Sequence, residues 1–283
     1  MIQVMVNGLP GMMATCVARH ICKDTRFQLF PYSFKGENKN RYINIEGNQI
    51  ELISKNEKNT FMTMVKEKKI SFITVDFTLP TAVNDNAEFY CLHNLPFVMG
   101  TTGGNRQEII ETVLKHSTLA VISQNMAKEI VAFQSMFELA ANNFNKIFDK
   151  YSLTIRESHQ KNKVDVSATA KEMLTLFKSM GVNCSENDII SIRDPETQKN
   201  ILNIPKDFIS GHAWFFYELL SEDSSTKFEF SHKINGRDIY AKGTLDAIIY
   251  LDSILKTGGY NKTLHTMQDV LKYHPANNNF SQS

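Results

Sequence analysis

Short apolar runs alternate with amphipathic stretches through the first half of the chain, the pattern of βαβ units feeding a parallel sheet. It predicts a strand over 2–7, a helix over 12–22, strands over 27–34 and 70–77 with a helix over 61–68 between them, and a helix over 80–92 opened by Pro80. A buried strand over 97–99 follows, then the loop Gly100-Thr101-Thr102-Gly103-Gly104, a helix over 106–115 and a strand over 119–123. From 125 to 150 apolar residues keep helical spacing (Ile130, Phe133, Phe137, Phe144, Ile147), which predicts a long helix crossing from one domain to the next. Beyond it, strands are predicted over 153–159, 189–193, 212–220, 227–234 and 237–240 with fewer helices between them, an α+β character. A helix over 245–255 and a polar tail over 277–283, expected to fray, close the chain.

Composition narrows the class further. The 283 residues suit two domains, and 42% hydrophobic with 22% charged residues is ordinary globular usage. With 31 basic and 30 acidic side chains the net charge is +1, so no overall field draws nucleic acid or an anionic membrane, and an anionic small molecule must be caught by local groups. No apolar run approaches the roughly 18 residues of a membrane span, and no signal pattern precedes the first strand, so no membrane partner and a cytoplasmic compartment are expected. Cys16, Cys22, Cys91 and Cys184 lack C-x-x-C spacing, and neither a disulfide framework nor a metal site is expected.

The first chemistry-bearing segment is Asn7-Gly8-Leu9-Pro10-Gly11-Met12-Met13-Ala14, between the first strand and the first helix. Gly8 and Gly11 there allow a tight turn and close backbone approach to a pyrophosphate at the helix N-terminus, and Ala14 lets helix and strand pack closely. A plain strand–turn–helix corner would carry the same glycines. Where an NAD enzyme places an acid for the ribose 2′-hydroxyl, the second strand ends Tyr32-Ser33-Phe34-Lys35. A hydroxyl at Ser33 and an ammonium at Lys35 suit a 2′-phosphate, which favours NADPH over NADH although Glu37 lies close by.

The second segment runs from Arg156 to Ala170 and packs His159, Lys163, Asp165, Ser167 and Thr169 between a strand and a helix. His159 and Lys163 suit proton transfer near neutral pH, and Ser167-Ala168-Thr169 opens a helix whose N–H groups suit a carboxylate. A surface pair and an ordinary N-cap are the alternatives for the same residues.

Taken with Val75-Asp76-Phe77-Thr78-Leu79-Pro80, Gly100-Thr101-Thr102-Gly103, Ile122-Ser123-Gln124-Asn125-Met126, Ile192-Arg193-Asp194-Pro195, Gly211-His212-Ala213 and Asn235-Gly236-Arg237 through Ala247, these segments resemble the 4-hydroxy-tetrahydrodipicolinate (dihydrodipicolinate) reductase family over nearly the whole chain, particularly its plant-type branch. The resemblance implies an α/β Rossmann-like parallel-sheet domain with an inserted α+β domain carrying a mixed sheet. Residues 1–126, completed by 241–283, would form the dinucleotide-binding domain, and 127–240 the substrate-binding and oligomerisation domain. It implies an oxidoreductase of the diaminopimelate route to lysine, NADPH-preferring with NADH possible, acting on a small dicarboxylate as a homodimer or homotetramer and using no metal.

In the family, hydride passes from the nicotinamide to the unsaturated substrate ring. The resemblance gives proton supply to His159 and Lys163, substrate contacts to Gln160, Ser167, Ala168, Thr169 and Arg237, and cofactor contacts to Gly8, Gly11, Met12, Met13, Ser33, Lys35, Phe77, Thr78, Gly100, Thr101, Thr102, Gln124 and Asn125. Three residues depart from the family pattern. Gln160 stands where bacterial members have a second His, Gln124 where Pro is common, and Ala168 where Gly separates Ser from Thr; at that last position a Cβ would obstruct close approach or a positive φ. Two further readings fit the residues: a catalytically impaired NADPH-binding relative marked by Ala168, and a reductase of a different imine or enamine dicarboxylate.

Overall fold

The computed structural model describes residues 1–35, 40–258 and 261–273. Glu37 and the polar tail over 277–283 lie outside the described residues. Strand β1 (Ile2–Asn7) runs through Val4, Met5 and Val6, all fully buried. Helix α1 (Met12–Lys23) buries Ala14, Val17, Ala18 and Ile21, one stripe at helical spacing. Burying a Val or Ile side chain stabilises the fold by roughly 1.5–3 kcal/mol, so this stripe holds the helix on the sheet.

The predicted strand over 27–34 is two strands. β2 (Phe27–Leu29) pairs with β1, whereas β3 (Tyr32–Phe34) joins a different sheet. Pro31 makes the break: it has no N–H for a ladder, and its carbonyl accepts the Glu51 N–H instead. β4 (Tyr42–Ile45) and β5 (Asn48–Ile53), absent from the periodicity reading, form a hairpin. Its two-residue turn is Glu46-Gly47, both at positive φ (49° and 83°), as a type I′ turn requires.

Alternation then proceeds through α2 (Lys58–Glu67), β6 (Ile73–Asp76), α3 (Val83–Leu92), β7 (Phe97–Met99), α4 (Arg106–His116) and β8 (Ala120–Ile122). Pro80 stands in the turn before α3, where the Ala82 N–H donates to the Leu79 carbonyl, and not in the helix. The long predicted helix is shorter: α5 (Lys128–Asn143) stops at two asparagines, the Asn143 amide donates to the Leu139 carbonyl, and Lys146 and Lys150 adopt left-handed φ of 61° and 65°.

β9 (Tyr151–His159), α6 (Ala168–Ser179), β10 (Ile189–Ile192), α7 (Pro195–Asn200), β11 (His212–Ser221) and β12 (Lys227–Asn235) follow. The predicted strand over 237–240 is instead the first turn of α8 (Asp238–Thr257), because Gly236 at φ 77° ends β12 and Asp238 places an acid at a helix start. β13 (Leu264–His265) and α9 (Met267–Lys272) complete the described chain.

Two compact units result: residues 1–131 with 238–283, and residues 132–237. The first is Rossmann-like, a wholly parallel sheet in the order β13-β8-β7-β6-β1-β2, with the small sheet β3-β5-β4 beside it. From β1 the sheet grows one way to β2 and the other way to β6, so strand order reverses there and a crevice opens at the carboxyl ends of β1 and β6. α8 packs so close to the end of β8 that a Cβ on Gly243 would lie 1.8 Å from the Met126 carbonyl oxygen. The second unit carries the mixed sheet β10-β9-β11-β12, in which β9 and β10 are parallel and the other pairs antiparallel. Among the described residues no helix is long and apolar enough to cross a membrane.

Candidate active site

The crevice of the first unit is built around two buried polar side chains at strand ends. Asn7, at the end of β1, accepts the Phe34 N–H at 2.7 Å and donates to the Tyr90 hydroxyl at 2.9 Å, which ties β1 to β3 and α3. Asp76, at the end of β6, is fully buried. Its carboxylate accepts from Tyr90 (2.7 Å), Asn86 (3.0 Å), Thr78 (hydroxyl 2.8 Å, N–H 3.0 Å) and Thr101 (2.8 Å). A carboxylate withdrawn from water needs such partners, and these come from three different segments. Burial foremost, then the Asp76 charge, push the Tyr90 phenol well above its usual range, so it stays protonated and donates.

Over this framework lies a cavity of about 530 Å³ lined by Gly8 to Gly11, Phe34, Lys35, Lys55, Lys58, Phe77 and Thr78 among others. Gly8, at φ 98°, has its Cα against the next loop: a Cβ there would sit 2.2 Å from the Phe77 carbonyl oxygen. A Cβ on Gly11 would sit 2.8 Å from the Gly8 carbonyl oxygen, and one on Gly100 2.4 Å from the Phe77 ring. Glycine is therefore required at Gly8 and Gly11, where the obstacle is backbone, whereas at Gly100 the Phe77 ring would have to move. Lys35 enters the cavity wall from the end of β3, and Lys55 and Lys58 come from the segment after the hairpin. Lys58 donates to Asn86 (2.9 Å) and lies over the Phe34 and Phe89 rings; burial pulls its ammonium pKa down. Lys55 pairs with Asp85 at 3.1 Å, so this cationic wall includes one acid.

Several expected contacts are placed differently. The Ser33 side chain is wholly buried, its hydroxyl has no partner among the described residues, and it is not among the residues lining the cavity that Phe34 and Lys35 reach. The Thr101 hydroxyl is bound to Asp76 and braces the glycine loop from inside, whereas Thr102 is exposed. Met12 is 70% exposed at the start of α1, while Met13 leans on the core. Asn125 accepts the Ala127 N–H at 3.0 Å and shapes the turn before α5; Gln124 beside it is exposed.

In the second unit the mixed sheet presents its own cluster. Period-2 alternation along β9 puts Glu157 and His159 on one face and Ser158 on the other. Glu157 is fully buried, pairs with the Arg193 guanidinium, and accepts from the Ser191 hydroxyl (2.9 Å) and the Ser167 N–H (3.0 Å). Arg193 also donates to the carbonyls of Lys163 (2.8 Å) and Asp165 (3.3 Å), clamping the 160–166 loop. On the opposite face the Ser158 hydroxyl donates to His212 Nε2 at 2.8 Å, a lone pair left by the His212 Nδ1–H donating to the Phe208 carbonyl.

His159 is 8% exposed, with Nε2 3.8 Å from the Glu157 carboxylate and with no hydrogen-bond partner. Burial foremost pushes its pKa down to about 4 against the pull of Glu157, with Lys163, Arg193 and His212 adding to the depression. The imidazole is therefore neutral at pH 7 with an uncommitted Nε2. Ser167 caps α6, its hydroxyl accepting the Thr169 N–H at 3.2 Å. Ala168 is the first residue of that helix, exposed and absent from the positive-φ positions, so the backbone strain expected of a Cβ there does not arise. Arg237 lies against Gly211, where a Cβ would come within 3.0 Å of its guanidinium.

The structure thus gathers His159, Lys163, Ser167 and Thr169 around Glu157 and Arg193, two residues to which the sequence reading gave no role. A charged residue two positions before His159, in a strand otherwise apolar on that face, was the available signal. Asn7, Asp76, Lys55 and Lys58 were likewise passed over.

Family models place this geometry among known proteins. The model described as dihydrodipicolinate reductase, N-terminus, matches residues 2–126, and that described as dihydrodipicolinate reductase, C-terminus, matches 130–271. The chain is 40% identical over 273 residues to 4-hydroxy-tetrahydrodipicolinate reductase 1, chloroplastic, of Arabidopsis thaliana, covering 96% of this chain and 78% of that protein. It is 40% identical over 270 residues to a probable 4-hydroxy-tetrahydrodipicolinate reductase 1, chloroplastic, of Oryza sativa subsp. japonica, covering 95% and 78%. A dipicolinate-bound dihydrodipicolinate reductase from Paenisporosarcina sp. TG-14 shares the fold with a TM-score of 0.64 at 18% identity, covering 94% of this chain and 97% of that one.

Proposed function

The chain belongs to the dihydrodipicolinate reductase family, and from that premise we propose that it reduces 4-hydroxy-tetrahydrodipicolinate to tetrahydrodipicolinate in the diaminopimelate route to lysine. The observation that carries this reading is identity of 40% sustained over 96% of the chain, through both units. The net reaction removes one water and adds one hydride and one proton. A reduced nicotinamide dinucleotide, when bound, supplies the hydride.

The first unit is the cofactor-binding domain in this reading. Its fit to a dinucleotide rests on the cavity at the N-terminus of α1 that Gly8 to Gly11, Phe77 and Thr78 line, held in shape by the close approach of Gly8 to the Phe77 backbone. The first-turn N–H groups of α1 would hold the pyrophosphate, with Phe77, Thr78 and the 100–102 loop as the further residues that would contact the cofactor. NADPH is the preferred form: Lys35, Lys55 and Lys58 line the same cavity, and two or three ammonium groups suit a 2′-phosphate dianion better than a hydroxyl.

The second unit is the substrate-binding domain, and its mixed sheet is the surface through which copies of the chain associate. Gln160, the first turn of α6 from Ser167 to Thr169, and Arg237 hold the substrate carboxylates. Glu157 and Arg193 are positioning residues, fixing that turn and the loop bearing Lys163. Lys163, in the loop that Arg193 clamps, is the partner of His159 in proton supply. A substrate carboxylate about 5 Å from His159 would favour its imidazolium by roughly 3 kcal/mol at an effective dielectric near 20, equivalent to about two pKa units. Starting from about 4, that brings the imidazole to roughly 6, so at and below about pH 6 His159 takes up a proton as the dicarboxylate binds and serves as the acid in the complex. The impaired-relative reading loses one of its two grounds, because Ala168 is helical and not at a positive φ.

The half-buried or buried state of all four cysteines suits a reducing compartment; two relatives are named chloroplastic, so such a compartment rather than the cytoplasm alone is inferred. The test of the function is oxidation of NADPH that requires freshly generated 4-hydroxy-tetrahydrodipicolinate. Turnover on another cyclic imine dicarboxylate, with none on this one, would replace the substrate assignment.

A further inference from the structure

We propose that Cys16, His20 and Asp238 form a binding site for a zinc-class divalent cation that clips α1 to α8. Cys16 and His20 stand four residues apart on α1, hence adjacent on one helix face, and Asp238 is the first residue of α8, which packs against α1. One ligand atom from each residue lies within 4.8 Å of the other two. Cys16 Sγ is 3.5 Å from Asp238 Oδ1, and His20 Nε2 is 3.7 Å from the same oxygen. With zinc bond lengths of about 2.0–2.3 Å, tetrahedral ligands stand about 3.3–3.6 Å from one another, so the two separations to Asp238 already fit a shared metal to within a few tenths of an ångström, while Cys16 Sγ, 3.9 Å from the near ring nitrogen Nδ1, must swing toward Nε2 to complete the set.

The histidine is already oriented for this. Its Nδ1 lies 3.0 Å from the Cys16 carbonyl oxygen, one turn back, and donates to it. Nε2 therefore keeps its lone pair and faces Asp238 at a distance too long for a hydrogen bond. Anchoring of the remote ring N–H on a carbonyl is the usual outer-shell arrangement of metal-bound imidazole.

The donor set selects the cation. Thiolate, imidazole and carboxylate suit zinc or cobalt and not magnesium or calcium, which take oxygen ligands. On binding, the thiol releases its proton to solvent, and the thiolate and carboxylate together neutralise the ion. The Asp238 side chain is 73% exposed and that of His20 25%, which opens a path for entry and leaves the fourth position to water. The clip lies beyond the glycine cradle at the N-terminus of α1 and would steady that helix without covering its first turn.

The test is titration of the tag-free, chelator-stripped full chain with Co2+. One Co2+ per chain with a thiolate-to-cobalt charge-transfer band, displaced by Zn2+ and abolished in Cys16→Ser, is the expected result. His20→Gln and Asp238→Asn should each weaken binding at least tenfold. These side chains lie at the surface, and circular dichroism checks that each variant is folded. Absence of the charge-transfer band, or its survival in Cys16→Ser, would overturn the site and leave His20 and Asp238 as an ordinary surface ion pair.

Discussion

At the scale of single residues, the chemistry turns on how burial sets the charge of His159. Replacing His159 by Gln or Lys163 by Ala should lower kcat/KM for 4-hydroxy-tetrahydrodipicolinate by about 10²–10⁴, the usual size of a general-acid contribution, with NADPH affinity unchanged within twofold. A second prediction follows from the depressed pKa of about 4 in the free protein. If a bound dicarboxylate raises that pKa, the gain in affinity is full below the free-state value of about 4, declines above it and is lost as pH rises through the bound-state value. Calorimetry of dipicolinate binding in buffers of different ionisation enthalpy at pH 6 should show proton uptake in the wild type, and none in His159→Gln. The residue types of this cluster were legible in the sequence, as was their order, because they fall within one strand–loop–helix segment. Glu157 was not, since its importance comes from Arg193 and Ser191 on a neighbouring strand, a pairing no local pattern reveals. For Ser33, a hydroxyl at a strand end suits a phosphate, but how deeply it is buried depends on its pairing with β5, which no local pattern reveals.

At the scale of elements, the turn after β1 and the pairing of α8 with the loop after β8 are held by backbone approach. Gly8→Ala would put a Cβ 2.2 Å from a carbonyl oxygen at φ 98°, so loss of detectable NADPH binding is expected by fluorescence titration. Gly243→Ala, with its Cβ 1.8 Å from the Met126 carbonyl, should lower the Tm by several degrees, since overpacking of this kind costs about 1–3 kcal/mol. The cavity wall makes a further prediction: Lys35→Glu should raise KM for NADPH at least tenfold and leave KM for NADH within about threefold, because a charge-assisted hydrogen bond contributes about 1.5–3 kcal/mol. Element types were readable wherever apolar periodicity was long. The hairpin of β4 and β5 escaped although Glu46-Gly47 carries a hairpin turn, since its exposed strand alternates weakly and lies next to the polar stretch after Lys35. The 237–240 strand was misread because four residues cannot separate a strand from a helix's first turn.

For the whole molecule, the near-neutral charge of +1 means that a dianionic substrate and a polyanionic cofactor are held by local donors, set in two separately packed units. The return of the chain to the first unit through α8 was foreshadowed by motif order rather than by any composition shift. The central claim is that these two sets of donors serve one hydride transfer to 4-hydroxy-tetrahydrodipicolinate. Its most direct test is the rate of NADPH oxidation with that compound generated in place by its synthase, run beside His159→Gln and a control lacking the synthase. The account predicts oxidation that depends on the synthase, is faster with NADPH than with NADH at equal subsaturating concentration, and falls at least a hundredfold in the variant. No synthase-dependent oxidation by a folded wild-type chain that binds NADPH would contradict it.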